Sequence, residues 1–268
     1  MRFAAALALA VALCLGAAAL VSAQGTPPTI TVTAGGTSLT VTPAGTLASG
    51  PTRIEFVRTS GDPSLSVAAL RPGVTVEAFT AALRRSDDDA LELIYIDAGA
   101  DLNAEEPRWV STASLRPGLT YVAVNTEGEN RAAFEVTPFT VGTTPNGATA
   151  PRADATVTMV DLRFTGDRTL PRNGSIRFRN QGWAPHFAVA ARLRSGATSA
   201  AIGRALKGNP RSLGRLLDLQ NAGEPQALIT RGADTVNEVR FPRSGRWALI
   251  CFFESHAQQG MYRVVNVR

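Results

Sequence analysis

Short runs of Val, Ile, Thr and Phe alternate with polar residues along most of the chain, and Gly, Pro and Asn separate them. A period of two with frequent turn residues is typical of strands in a β-sandwich. The pattern predicts strands at Thr29–Thr33, Ser38–Thr42, Arg53–Arg58, Ala155–Phe164, Ser175–Asn180, Val236–Phe241, Trp247–Phe252 and Tyr262–Val267. Apolar residues are spaced as in a helix in two other segments, Thr198–Lys207 and the leucine-containing Arg211–Gly223. We therefore predict an all-β fold with short helical inserts.

A Gly-, Thr- and Pro-rich stretch without apolar periodicity, residues 143–152, divides the chain and predicts a linker. Residues 24–142 and 153–268 are each long enough to form a domain with its own core. The two parts also resemble each other, because Thr52–Arg84 aligns with Gly174–Lys207 with apolar residues in register. We predict an internal duplication of a β-sandwich.

The first 23 residues predict a secretory signal peptide, since a basic residue is followed by an apolar run and by small residues that end at Ala23. The mature chain would then begin near Gln24 and be exported to the periplasm, the cell envelope or the medium. An uncleaved membrane anchor is the alternative, because the run is long enough to span a bilayer. A lipoprotein attached through Cys14 is disfavoured by the bulky Leu13 before it. No later apolar run is long enough to cross a membrane.

The whole chain has a net charge of +5, but its two parts have charges of opposite sign. Residues 24–150 hold 8 basic against 14 acidic residues, and residues 151–268 hold 18 basic against 8 acidic ones. The basic residues are nearly all arginines spread over many short segments. Together with export, this spread argues against nucleic acid as a partner.

Without the leader the chain has a single cysteine, Cys251, so no intrachain disulfide can form. An exported lone thiol is either buried and inert or held by a metal. The only two histidines of the chain are His186 and His256, and His256 lies between Cys251 and Met261. Taken singly, each of these residues is more often an ordinary core or surface residue than a ligand. Taken together, their spacing favours a metal site.

Strand alternation places Trp247, Leu249 and Cys251 on one face of a strand that ends near the cysteine. The next residues predict a loop that returns into the last strand at Met261. Two imidazoles, one thiolate and a weak thioether suit copper in electron transfer. Zinc could occupy such a set, but structural zinc prefers four strong nitrogen and sulfur ligands.

The stretch from about Ala155 to Arg268 resembles the cupredoxins, the blue copper proteins. The resemblance rests on a strand that leads through Asn180 to His186, and on the motif Cys-x4-His-x4-Met that begins at Cys251. It implies a Greek-key β-sandwich with one type 1 copper that cycles between Cu(I) and Cu(II). The implied ligands are His186, Cys251 and His256 in the equatorial plane and Met261 as the axial ligand. Asn180 sits where the family has an asparagine that ties the two ligand segments together.

By the same resemblance, the first part of the chain is a degenerate cupredoxin-like repeat without a metal. It has Ser64 where the second part has His186, and Asn125 where the second part has Cys251. The second part departs from the smaller family members by a longer insert between His186 and Cys251, which carries the two helical stretches.

The resemblance implies an exported electron carrier rather than an enzyme, because two histidines are too few for the second copper centre of a nitrite reductase or a multicopper oxidase. Trp183 and Pro185 flank His186, and Phe252 follows Cys251, so an apolar rim would surround the site and contact a redox partner protein. The basic second part favours an acidic docking surface on that partner. A copper storage or delivery protein and a non-redox binding module of the cell envelope are the alternatives. The sequence does not indicate an oligomeric state.

Overall fold

The computed structural model describes residues 25–36, 38–128 and 130–268. The predicted signal peptide, residues 1–23, lies outside the described residues. The strands of the first half are β1 (Thr29–Gly35), β2 (Ser38–Thr42), β3 (Thr46–Arg58), β4 (Ser64–Leu70), β5 (Ile94–Asp101), β6 (Arg108–Leu115), β7 (Thr120–Asn125) and β8 (Glu135–Pro145). Its helices are α1 (Val76–Arg85) and α2 (Asp87–Leu91), with a single 3-10 turn at Arg131–Ala133.

The second half continues the same kind of structure. Its strands are β9 (Ala155–Val160), β10 (Arg163–Gly166), β11 (Thr169–Leu170), β12 (Asn173–Asn180), β13 (His186–Leu193), β14 (Leu217–Ile229), β15 (Asp234–Arg240), β16 (Gly245–Ile250) and β17 (Tyr262–Val267). Its helices are α3 (Ser199–Lys207), α4 (Leu213–Leu216) and α5 (His256–Gln259), with a 3-10 turn at Pro210–Ser212. Among the described residues, no helix combines the length and the apolar character that a bilayer crossing requires.

The first half is a sandwich whose two layers are joined by the long strand β3. The first residues of β3 pair with β8, and its remainder pairs with β1 and β6. The strand changes layers near Gly50, whose φ of 104° is a conformation that favours glycine. Side chains such as Phe56 from one layer and Tyr121 from the other fill the space between them.

The second half packs the layer β10-β9-β12-β15 against the layer β11-β17-β16-β13-β14. Phe178 and Met159 from the first layer, and Trp247 and Leu249 from the second, belong to one buried apolar cluster. The order β17-β16-β13-β14 matches the order β8-β7-β4-β5 of the first half. The all-β sandwich fold is therefore confirmed, while the domain boundaries and the duplication stay predictions.

The two halves share a sheet. Strand β15 pairs antiparallel with β6, with Thr235 opposite Ala113, Val236 opposite Thr112 and Asn237 opposite Ser111. Buried polar groups also join β15 to β14 within the second half, since the Thr235 hydroxyl donates to Gln226 Oε1 at 2.6 Å and Asn237 Nδ2 donates to the same oxygen at 3.0 Å. The apolar core continues through both halves.

Most predicted strands are present, but the segment predicted as one strand at Ala155–Phe164 is two. β9 ends at Val160 and β10 begins at Arg163, and the turn between them contains Asp161 in a positive-φ conformation. An aspartate tolerates such a conformation better than most residues do, which allows a tight hairpin here. The single-strand prediction was therefore wrong.

The predicted helix at Thr198–Lys207 is confirmed as α3, and the Thr198 hydroxyl caps it by accepting the N–H of Ala201 at 3.1 Å. The predicted helix at Arg211–Gly223 is wrong, because α4 is only one turn long and β14 begins at Leu217. Pairing of β14 with β13 satisfies its backbone in an extended conformation, and this tertiary contact overrides the helical spacing of Leu213, Leu216, Leu217 and Leu219.

Candidate metal centre

Cys251 is the first residue after strand β16, which ends at Ile250. Trp247, Leu249 and Cys251 point into the core between the two layers, whereas Ala248 and Ile250 pack in a separate cluster with α3. The prediction that the first three share a face is confirmed. The predicted strand Trp247–Phe252 is two residues too long, since Cys251 and Phe252 lie beyond the ladder.

The segment after Cys251 was predicted as a loop, but it contains the short helix α5, which begins at His256. Two backbone hydrogen bonds close the segment on itself. The Met261 N–H donates to the His256 carbonyl at 2.8 Å, and the Cys251 N–H donates to the Met261 carbonyl at 3.1 Å. The backbone thereby holds the three residues of the motif close together.

His186 reaches the same place from another strand. It opens β13, and this strand pairs with β16 so that Val189 lies opposite Ile250. Its Nδ1 lies 3.9 Å from the Cys251 sulfur, and the Nδ1 of His256 lies 3.7 Å from that sulfur. One ligand atom from each of His186, Cys251 and His256 lies within 4.8 Å of the others. The structure therefore brings these three residues together, and Met261 is buried in the same apolar core as Cys251.

The site is shielded from water, since His186, Cys251 and Met261 are 0 % exposed and His256 is 6 % exposed. Burial lowers the pKa of His186 to about 4, and the neighbouring His256 contributes to the shift. Burial also lowers the pKa of His256 and raises the pKa of the Cys251 thiol. Both imidazoles are therefore neutral near pH 7 and ready to act as ligands, and a metal must displace one proton from the thiol.

The spacing of the donors fits one metal ion. At bond lengths of about 2.0 Å for nitrogen and about 2.3 Å for sulfur, two donors on one ion lie at most about 4.3 Å apart. The separations of 3.9 and 3.7 Å between the Cys251 sulfur and the two imidazole nitrogens satisfy this limit. A thiolate with two imidazoles and a methionine is the donor set of a type 1 copper. The second half therefore combines a β-sandwich with the donor set of a type 1 copper site, and this site fits one copper ion.

Asn180 supports the loop before His186. Its Nδ2 donates to the carbonyls of Ala184 and Ile229, each at 2.9 Å, and its Oδ1 accepts the N–H of Gly182 at 3.0 Å. Because Ile229 pairs with His186 across β13 and β14, these bonds fix the histidine segment. In the part of the chain that the structure describes, the side chain makes no hydrogen bond to the cysteine segment.

The other predicted neighbours of the site line its outer side. Trp183 is 77 % exposed, Phe252 is 39 % exposed and Pro185 is half-buried. We call these three residues and Leu162, which is 38 % exposed, the apolar rim. Leu162 is an addition to the predicted residues, and it lies in the unexpected turn between β9 and β10.

A cleft of about 960 Å³ opens at the two histidines and is walled by both halves. The first half contributes Arg71, Asp88, Glu92 and Tyr95, and the sequence analysis did not connect these residues with the site. The second half contributes the charged residues Asp161, Arg231 and Glu254. Such long-range contacts carry no local sequence signal.

Comparison with known proteins does not define this site. No family model matches the chain, and no curated protein matches it. Among solved structures, auracyanin B is 25% identical, covers 45% of this chain and 93% of its own, and has a TM-score of 0.31. Auracyanin A, a "blue" copper protein from Chloroflexus aurantiacus, is 17% identical over 42% of this chain and 96% of its own, with a TM-score of 0.28.

A longer match is a copper nitrite reductase from Nitrosomonas europaea, which is 13% identical over 91% of this chain and 94% of its own, with a TM-score of 0.26. All three TM-scores are low. The assignment of the site therefore rests on the donor atoms that this chain itself brings together.

Proposed function

We propose that this protein is an exported blue copper protein that carries single electrons through one copper ion held by His186, Cys251, His256 and Met261. The observation that carries the proposal is the convergence of the three strong donors in a buried site. A mixed nitrogen and sulfur set serves both Cu(I) and Cu(II). When bound, copper supplies the one-electron chemistry by changing its oxidation state.

The fold contributes to electron transfer by fixing the positions of the ligand residues. His186 is held by the pairing of β13, and Cys251, His256 and Met261 are held by the backbone hydrogen bonds of the ligand segment. A site that need not rearrange between oxidation states exchanges an electron with little reorganisation. The burial of the ligands supports electron transfer over copper delivery, because handing over an ion requires an acceptor's ligands to reach it.

Several features support a carrier rather than an enzyme. The chain has two histidines, and the proposed site uses both, so a further histidine-rich copper centre cannot be built. The predicted signal peptide supports export. The apolar rim supports a small and short-lived contact with a redox partner protein. The acidic partner surface stays a prediction, since the cleft beside the rim holds Asp88, Glu92, Asp161 and Glu254 as well as two arginines.

Addition of Cu(II) to the metal-free protein tests the proposal. We expect an intense visible absorption band from thiolate-to-copper charge transfer that saturates at one copper per chain, and a narrow type 1 signal in the EPR spectrum. The band should disappear on reduction and return on oxidation. A protein that stays colourless and binds no copper would contradict the proposal, and one that turns blue but cannot be reduced reversibly would contradict electron transfer alone.

Replacement of Trp183 with alanine tests the apolar rim. Because exposed aromatic side chains often dominate small interfaces, we expect electron self-exchange between copies of the protein to slow by about tenfold, which is the effect of roughly 1.4 kcal/mol. NMR line broadening in mixtures of reduced and oxidised protein measures this rate. The matched control is Leu219→Ala, which removes an exposed apolar side chain at the far end of β14. Equal rates in both variants would show that the rim is not the site of contact.

A further inference from the structure

The ring of His186 has one nitrogen without a partner. Its Nδ1 faces the Cys251 sulfur, whereas its Nε2 is buried and meets no hydrogen-bonding group among the described residues. When Nδ1 binds a metal, the neutral imidazole carries its proton on Nε2. A histidine ligand nearly always donates this proton to a carboxylate, a carbonyl or a water molecule, which fixes the orientation of the ring.

Gly182 brings a carboxylate close to this nitrogen. A β-carbon added to Gly182 would lie 2.8 Å from His186 Nε2 and 2.8 Å from Asp161 Oδ1. His186 Nε2 and Asp161 Oδ1 are therefore separated by no more than twice 2.8 Å, and both face the position where a side chain of residue 182 would begin. Any larger residue at position 182 would fill this space and push the two groups apart. The glycine therefore permits an approach that no other residue type would allow.

The turn between β9 and β10 holds Asp161 in place. The residue has a φ of 26°, and its Oδ1 accepts the N–H of Trp183 at 3.0 Å. The negative charge of Asp161 acts to raise the pKa of both His186 and His256, in opposition to the larger effect of burial. The other groups with charge effects on these histidines are Glu254, beside His256, and His256 itself, beside His186.

We propose that Asp161 is a positioning residue for the metal centre, and this inference rests on the proposed copper function. The Nε2–H of His186 donates to one bridging water molecule, and this water donates to the Asp161 carboxylate. Its negative charge stabilises Cu(II) relative to Cu(I) and so lowers the reduction potential. The hairpin formed by β9 and β10, which the sequence analysis did not predict, positions Asp161 beside the site.

The variant Asp161→Asn tests the proposal. Asparagine tolerates a positive φ and keeps an oxygen for the Trp183 N–H, so the turn should persist. We expect the equilibrium constant for reduction by a redox mediator to rise by roughly tenfold, since the stabilising charge is lost. In the Cu(I) protein, which is diamagnetic, the Nε2 proton of His186 should exchange with water faster than in the wild type. Asp161→Glu, which keeps the carboxylate, should recover most of the wild-type behaviour.

The matched control is Glu254→Gln, which removes one negative charge beside the other histidine. We expect it to leave the Nε2 proton of His186 unchanged, whatever it does to the potential. The proposal is overturned if Asp161→Asn leaves both the potential and the proton exchange at wild-type values, or if the two variants shift the potential equally and neither affects the proton. A wild-type protein without the visible band would overturn both this inference and the copper function, whereas a blue wild type with an unaffected Asp161→Asn variant would overturn this inference alone.

Discussion

Replacement of Cys251 with serine is expected to abolish the intense visible absorption of the copper-loaded protein. The band requires a thiolate on the copper, and a serine hydroxyl does not ionise near pH 7. The substitution is close to isosteric, so the protein should still fold. A buried hydroxyl without a good partner would cost about 1–3 kcal/mol of stability. Visible absorption and EPR spectra after addition of Cu(II) measure the result.

The matched comparison for this variant is Met261→Leu. Leucine fills a similar volume in the same apolar cluster and removes only the thioether. Because the axial ligand tunes the potential without supplying the charge-transfer band, this variant should stay coloured and have a changed reduction potential. If Cys251→Ser kept the band, the thiolate would not be a copper ligand.

Replacement of Trp247 with alanine is expected to be the most destabilising single change near the site. Trp247 is 1 % exposed, and its ring meets the ring of Phe241 edge to face at a centroid distance of 5.1 Å. Its Nε1–H donates to the Arg243 carbonyl at 3.1 Å. Removing a buried tryptophan costs about 3–5 kcal/mol through lost transfer energy and an unfilled cavity. That is a large share of the roughly 5–15 kcal/mol by which domains are stable.

Urea unfolding of the metal-free protein measures this loss, and Trp183→Ala is the control. The control removes the same side chain from an exposed position, so its free energy of unfolding should stay within about 0.5 kcal/mol of wild type. A loss below about 1 kcal/mol for Trp247→Ala would mean that the core collapses around the missing ring. Measurement without copper keeps metal affinity out of the comparison.

The alternation of side chains on β16 was sufficient to predict that Trp247, Leu249 and Cys251 share a face, because that alternation is a local property of an extended backbone. The gathering of His186 with Cys251 and His256 followed from residue type and spacing together with the resemblance to the cupredoxins. No local rule would bring residues 186 and 251 together, because their contact depends on the pairing of β13 with β16.

The sequence failed where tertiary contacts or turn chemistry decided the conformation. The leucines after Arg211 have helical spacing, but pairing with β13 makes most of this segment a strand. Asp161 was included in the predicted strand Ala155–Phe164, although an aspartate between apolar residues is a signal for a turn. The first-half wall of the cleft could not be predicted, since Tyr95 and Arg71 reach the site only through the docking of the two halves.

The pairing of β15 with β6 also bears on why a half without metal ligands accompanies one that has them. A strand at the border of a sheet exposes unpaired backbone groups, which invite aggregation with other chains. Here each half covers such a border of the other along residues Thr235–Asn237 and Ser111–Ala113. The half without these ligands thus pairs with an edge strand of the half that carries the donor set, and that edge would otherwise expose unpaired backbone groups.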